Sequence, residues 1–321
     1  MQTPPLHLGA ETPIAPELDE GLPALPPGSP RRIVWARRRA ALRRFWRAFR
    51  QDKMGVAGLV ILVFFIAVAI FAMFADKTGT KITQATAEPL QAPSLHFPLG
   101  TDNQGRSVLT LTVQGARISL LVGFSATIIT MLIGSSIGII AGFRGKTIDT
   151  VLMRITDWGL VIPWLVLAIS LASIFGQSLS IIILVIGLTT WPSTARLVRA
   201  QTLTVKERPY VERAQALGAS NWHLVTRHVL PNVMPVIMAN TVLIVAIAIL
   251  SETSLSFLGL GDPFSISWGQ ILEQASNAGA ATLGAWWWLG APGVCIVLVV
   301  LAFTMIGFAL DQIINPRLRD R

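Results

Sequence analysis

The chain has 321 residues, of which 52% are hydrophobic and 13% charged, and its formal net charge is +9. A water-soluble domain carries about 25% charged residues, so the composition leaves too little polar surface to face water all round and argues against a soluble enzyme. Ten of the 26 basic residues lie between Arg31 and Lys53, directly before the first apolar run, where they suit an orientation signal for membrane insertion better than a nucleic-acid groove.

In chain order, residues 1–30 contain eight prolines and scarcely an apolar pattern, which predicts a disordered tail. Residues 31–53 interleave arginine with Leu42, Phe45, Trp46 and Phe49. That i, i+3, i+4, i+7 spacing predicts a basic amphipathic helix on a membrane surface. Residues 54–321 then read as a single all-α integral membrane domain. Its six apolar stretches are Gly55–Phe74, Ile118–Phe143, Gly159–Phe175, Leu179–Ala195, Asn232–Ser251 and Trp286–Leu310. Each has the length needed to cross about 30 Å of hydrocarbon as a helix, the third and fourth at the lower limit. The first run is too long for a signal-peptide core and no A-x-A site follows it, so it is expected to stay in the mature protein.

Placing the N-terminus inside puts 22 of the 26 basic residues on the inner side and leaves Lys77, Lys81, Arg106 and Arg117 outside. Six spans return the C-terminus to the same side, where Arg317, Arg319 and Arg321 agree. Both termini are therefore expected in the cytoplasm. Trp286, Trp287 and Trp288 would form an aromatic belt at the outer boundary, and the lone Cys295 reads as apolar packing.

The longest inner connection, residues 197–231, has the signals of a helical elbow. Pro209 suits the first position of a helix and Glu212 its first turn. Tyr210, Ala214 and Leu217 recur at i, i+4 and i+7. Gly218 can end the helix in left-handed conformation, and Ser220 can cap a second helix running to Leu230, before Pro231. By composition alone, an ordinary loop with a surface helix is the better fit.

Other features are weaker. Arg144-Gly145-Lys146-Thr147 contains GKT, but the phosphate-loop pattern needs glycine at position 140, which is Ile. His223 and His228 are five apart, so on an α-helix they do not share a face, and no metal site is expected. Glu252, an acid at the end of the fifth span, is a candidate for a pathway or gate, though solvation at the outer mouth would also satisfy it. Asp157 and Asp311 read as interfacial. Pro163 and Pro192 would kink their short spans.

Glu212, Ala214, Gly218, Leu230 and Pro231 resemble the EAA motif of ABC importer membrane subunits, with Arg213 in place of its first alanine and His228 in place of its isoleucine. The resemblance extends to Phe45–Val60 (FWRAFRQDKMGVAGLV), Leu99–Val108 (LGTDNQGRSV), Gly115–Leu120 (GARISL) and Leu255–Asp262 (LSFLGLGD). These are similar to the C-type subunit of dipeptide, oligopeptide and nickel importers, over roughly residues 45–320. The resemblance implies a type I ABC importer permease fold and a non-catalytic channel-forming subunit in a bacterial or archaeal plasma membrane. It implies that Tyr210, Glu212, Ala214, Leu217 and Gly218 form a coupling helix that docks on an ATPase, supported by Pro209, Ser220, Leu230 and Pro231. The implied partners are a homologous second permease, two cytoplasmic ATPases holding ATP and Mg, and an extracytoplasmic substrate-binding protein, with no cofactor on this chain. An autonomous ion-coupled carrier is the reading from another class; it would need intramembrane ionisable groups, of which only Glu252 is available. A membrane enzyme lacks any visible nucleophile or metal constellation.

Overall fold

The computed structural model describes residues 30–75, 85 and 87–314. The tail expected over residues 1–30 lies outside the described residues except for Pro30. Among the described residues every regular element is helical. Helix α1 (Pro30–Gln51) covers the basic segment and α2 (Lys53–Ala75) the first span. Residues up to Arg47 form one unit and those from Ala48 another.

In the second unit, α3 (Val108–Arg144), α4 (Lys146–Val161), α5 (Trp164–Phe175) and α6 (Leu179–Lys206) follow. A short α7 (Pro209–Ala216) leads to α8 (Asn221–Leu224), which passes through a π-turn (Val225–Val229) into α9 (Leu230–Leu255). A second π-turn (Ser256–Leu260), α10 (Trp268–Asn277) and α11 (Trp286–Ile314) complete the order.

Five of these helices are long and apolar enough to cross a membrane, and the bent α4–α5 pair brings the number to six. The expected third span, Gly159–Phe175, is therefore not one straight helix: α4 and α5 meet at 87°. Pro163 has no N–H to donate and forces Ile162 into extended backbone (φ −74°, ψ 125°), which ends α4 there. Pro192, by contrast, stays inside a continuous α6. Two spans also outrun their apolar windows. Helix α3 starts at Val108 rather than Ile118, and α6 runs to Lys206 rather than Ala195. The extra turns of α6 hold because Val198, Thr202 and Val205, at i, i+4 and i+7, are all fully buried. The connection expected over 197–231 is shorter by that stretch.

The α3–α6 contact is built on glycine. A Cβ added at Gly134, Gly138 or Gly142 would lie 2.7 Å from Thr194 Cβ, 2.6 Å from the Ala195 carbonyl oxygen and 2.8 Å from Thr202 Cβ, respectively. Three glycines at four-residue spacing thus let two membrane helices touch backbone to backbone, a small-residue seam. Helix α4 is pinned across α6 by Arg199, which grips Asp149 with two bonds of 2.5 and 2.6 Å, and by Arg196 to Asp157 at 2.6 Å. Arginines 196 and 199 are therefore helix residues paired to acids, not loop charges. The GKT stretch is the α3–α4 junction, with Gly145 at φ 65° ending α3. Phe49 is buried with Ile306 and Ala309. Cys295 packs against the largest apolar cluster as a free thiol.

The tryptophan belt is only partly as expected. Trp286 is 69% exposed, but Trp287 and Trp288 are buried. Helix α11 begins at Trp286, so its next two side chains turn inward, where the Trp287 indole donates to the Thr101 carbonyl at 3.2 Å.

Candidate functional site

Both ends of the rod that runs from Asn221 to Leu260 carry a distinctive arrangement. At the first end, Pro209 occupies the opening position of α7, Glu212 its first turn, and Val211 is the one buried side chain that anchors it. The helix closes in a Schellman motif: the Ala219 N–H donates to the Ala214 carbonyl at 3.1 Å and the Gly218 N–H to the Gln215 carbonyl at 3.0 Å. Gly218 sits at φ 84° with nothing within 4 Å of a built Cβ, so glycine is required there for backbone conformation rather than for space. The Ser220 hydroxyl then accepts from the His223 N–H at 3.3 Å and starts α8. Leu224 and Val229 are buried beneath it, and Val229 joins Val198 and Val205 of α6 in one apolar cluster.

This elbow presents large apolar groups to its surroundings. Leu217 is 88% exposed and Trp222 78%, with Tyr210 also exposed and Ala214 half-buried. Trp222, with Asn221 and Val225, also walls a cavity of about 260 Å³ against Ile139, Ile140, Phe143 and Arg144 at the end of α3. Trp222 escaped the sequence reading, although an aromatic between Asn221 and His223 at a helix start is a visible signal.

Leu230 and Pro231 do not separate two helices. The Leu230 N–H donates to the Val225 carbonyl five residues back, and the chain runs on through Pro231. Pro231 removes a donor and crowds the preceding turn, which widens by one residue instead of breaking. That wider turn corrects the expectation for the histidines: the His223 and His228 rings lie 5.8 Å apart on one face, and Tyr210 is 6.0 Å from His228. No group of three or more metal-ligating side chains occurs among the described residues.

At the second end, Glu252 is 1% exposed, so solvation at an open mouth is not what satisfies it. Its carboxylate accepts from the Ser119 hydroxyl of α3 at 3.0 Å and the Ser256 hydroxyl at 2.7 Å, and Ser267 approaches it as a third hydroxyl. The Trp268 N–H donates to Ser119 Oγ at 3.2 Å, and the Trp268 indole to the Thr112 carbonyl at 2.9 Å. Ser267 is also the N-cap of α10. Nearby, Arg106 pairs with buried Asp102 at 2.6 Å and reaches Gln274 of α10 at 3.0 Å. GARISL and LSFLGLGD, far apart in sequence, thus meet at one buried carboxylate, and LGTDNQGRSV reaches α10 through Arg106.

An all-helical chain with several membrane spans, a broken third span and an exposed elbow between the fourth and fifth defines a membrane permease subunit. Residues 134–320 match the family described as binding-protein-dependent transport system inner membrane component, and residues 41–93 match the N-terminal TM domain of oligopeptide transport permease C. The chain is 38% identical over 278 residues to the dipeptide transport system permease protein DppC of Bacillus subtilis (strain 168), covering 85% of each chain. It is 37% identical over 275 residues to the oligopeptide transport system permease protein OppC of the same organism, covering 84% of this chain and 88% of that one. A solved structure of the MetNI methionine ABC transporter in inward-facing conformation matches 64% of this chain and 95% of that chain, with a TM-score of 0.52 and 20% identity. The chain belongs to the binding-protein-dependent transport system inner membrane component family, and its fold is that of a type I ABC importer permease.

Proposed function

We propose that this chain is the non-catalytic, channel-forming subunit of an ATP-driven importer of di- and oligopeptides. The observation that carries this reading is the elbow: Leu217 and Trp222 stand exposed on a rigid Schellman turn whose second helix is continuous with a membrane span. An exposed apolar patch on a rigid mount fits a partner protein, and a continuous helix carries the partner's motion into the membrane. The partner is one of two cytoplasmic ATPases that hold ATP and Mg, with Tyr210, Glu212, Ala214, Leu217 and Gly218 making the docking surface and Pro209, Ser220, Leu230 and Pro231 shaping it. ATP binding draws this elbow and that of a second permease together and turns the central cavity outward; hydrolysis resets it. An extracytoplasmic binding protein delivers the cargo. The charge asymmetry that leaves four of 26 basic residues outside supports cytoplasmic termini.

The peptide cargo rests on the relatives, which are named for dipeptides and oligopeptides; nickel is the alternative. An ion-coupled carrier working alone is disfavoured because Glu252 is sealed among hydroxyls. The docking assignment is tested with Gly218→Asp. Aspartate strains the left-handed turn at φ 84° and adds a charge to its surface, so the elbow changes in shape and in chemistry while the spans do not. The variant should remain in the membrane and lose the ATPases on purification; wild-type recovery of the ATPases would refute the assignment. The ligand held by the binding protein that co-purifies with the complex separates peptide from nickel.

A further inference from the structure

We infer that Glu252 is a positioning residue at a buried joint that fixes the outer helix α10 to the α9 rod, so that a binding protein seated outside acts on the coupling elbow. This inference rests on the function proposed above and names the route of regulation within it.

The joint gathers three elements at one carboxylate: Ser119 from α3, Ser256 from the end of the rod, and Ser267 from the cap of α10. Among the described residues no basic side chain pairs with Glu252. A buried carboxylate without a counter-charge is costly unless donors satisfy it, so its hydroxyl partners are held in place by that cost as well as by packing. The packing is close where α10 meets α9 and α3. A Cβ added at Gly269 in the first turn of α10 would lie 2.7 Å from the Thr253 carbonyl oxygen of α9, and one at Gly115 would lie 2.7 Å from the Trp268 ring. Close-packed interiors of this kind are stiff and transmit displacement.

In the topology proposed above, α10 lies on the outer side, where the binding protein would seat. The segment leading into it carries Phe264 at 98% exposed. From Glu252 the rod runs back without an α-helical break through α9 and the first π-turn to Asn221, beside the elbow. At about 1.5 Å per residue that is about 45 Å, long enough to link the two sides of a bilayer. A displacement of α10 therefore has a stiff path through the rod to the ATPase-facing end, and Glu252 is where it enters the rod.

The experiment uses the complete transporter (this chain, the second permease and both ATPases) in lipid nanodiscs, and reads the ratio of ATPase rate with cargo-loaded binding protein to the rate without it. A wild-type ratio of one sinks the proposed function and this inference together. With stimulation present in wild type, Glu252→Ala should cut the ratio at least about fivefold, the lower end of ordinary coupling between sites. Glu252→Gln, which keeps an acceptor oxygen and adds a donor, should restore part of it. Ser256→Ala removes one hydroxyl and should lower the ratio in the same direction; it decides the matter if the alanine variant at 252 does not assemble. An undiminished ratio in an assembled variant overturns the inference, as does a proportional fall of stimulated and unstimulated rates, which a merely structural role would give.

Discussion

The two ends of the α9 rod are built on opposite terms. Each carries a π-turn and a left-handed glycine: Gly218 precedes the turn at Val225–Val229 by seven residues at the first, and Gly259, at φ 79°, lies within the turn at Ser256–Leu260 at the second. The first end exposes apolar side chains, Leu217 and Trp222, while the second buries polar ones, Glu252 and three serines. An apolar group left in the open is a contact still to be made. A polar group taken out of water is a contact already made, because it must bring its partners with it. The difference teaches that an open attachment point and a fixed joint can be told apart by what is exposed and what is satisfied, even where similar backbone features recur.

Substitutions at the two ends should separate along that line. The largest expected effect is at the buried end. Trp288→Ala removes a fully buried indole from the largest apolar cluster, which also holds Ile249 of the rod and Trp268, and should cost about 3–5 kcal/mol of stability, read as a drop in melting temperature of the purified chain. Equal stability would show that this end is not tightly packed. Next comes the open end. Trp222→Ala should leave the melting temperature of the isolated chain within error but weaken ATPase association by about 2 kcal/mol, near thirtyfold in dissociation constant. A destabilised chain with unchanged association would invert the comparison. The smallest effect falls between the ends. Asp149→Asn removes the partner of a partly exposed Arg199 and should cost about 1 kcal/mol or less, detectable as earlier proteolytic nicking in α4.

The elbow was legible because its signals are local. Pro209, Gly218 and Ser220 each act within one turn of chain, through a fixed φ, a left-handed φ and a cap, and the structure has all three. The spans were legible as apolar windows, but their ends were not. The turns of α6 beyond Ala195 depend on burial of Val198, Thr202 and Val205 by other helices, and the arginines among them look like loop charges until Asp149 and Asp157 are found opposite. Pro163 announced a kink, but not its size of 87°. His223 and His228 were misjudged because a rule based on 3.6 residues per turn fails in a π-turn, which Pro231 does foreshadow. Glu252 was read against solvent because its partners come from residue 119 and residue 267, distant in sequence. The spacing of Gly134, Gly138 and Gly142 was a plain signal that went unused.

That glycine seam also limits how the helices can shift. Sliding α3 along α6 by a single residue would bring Ser135 or Ile139 to crossings where even a methyl group collides with backbone. Sliding by four returns a glycine to two of the three crossings and brings Thr130 or Lys146 to the other. The interface thus resists small slides: the shift that keeps glycine at most crossings is four residues, about 6 Å, and shorter ones meet side chains at every crossing.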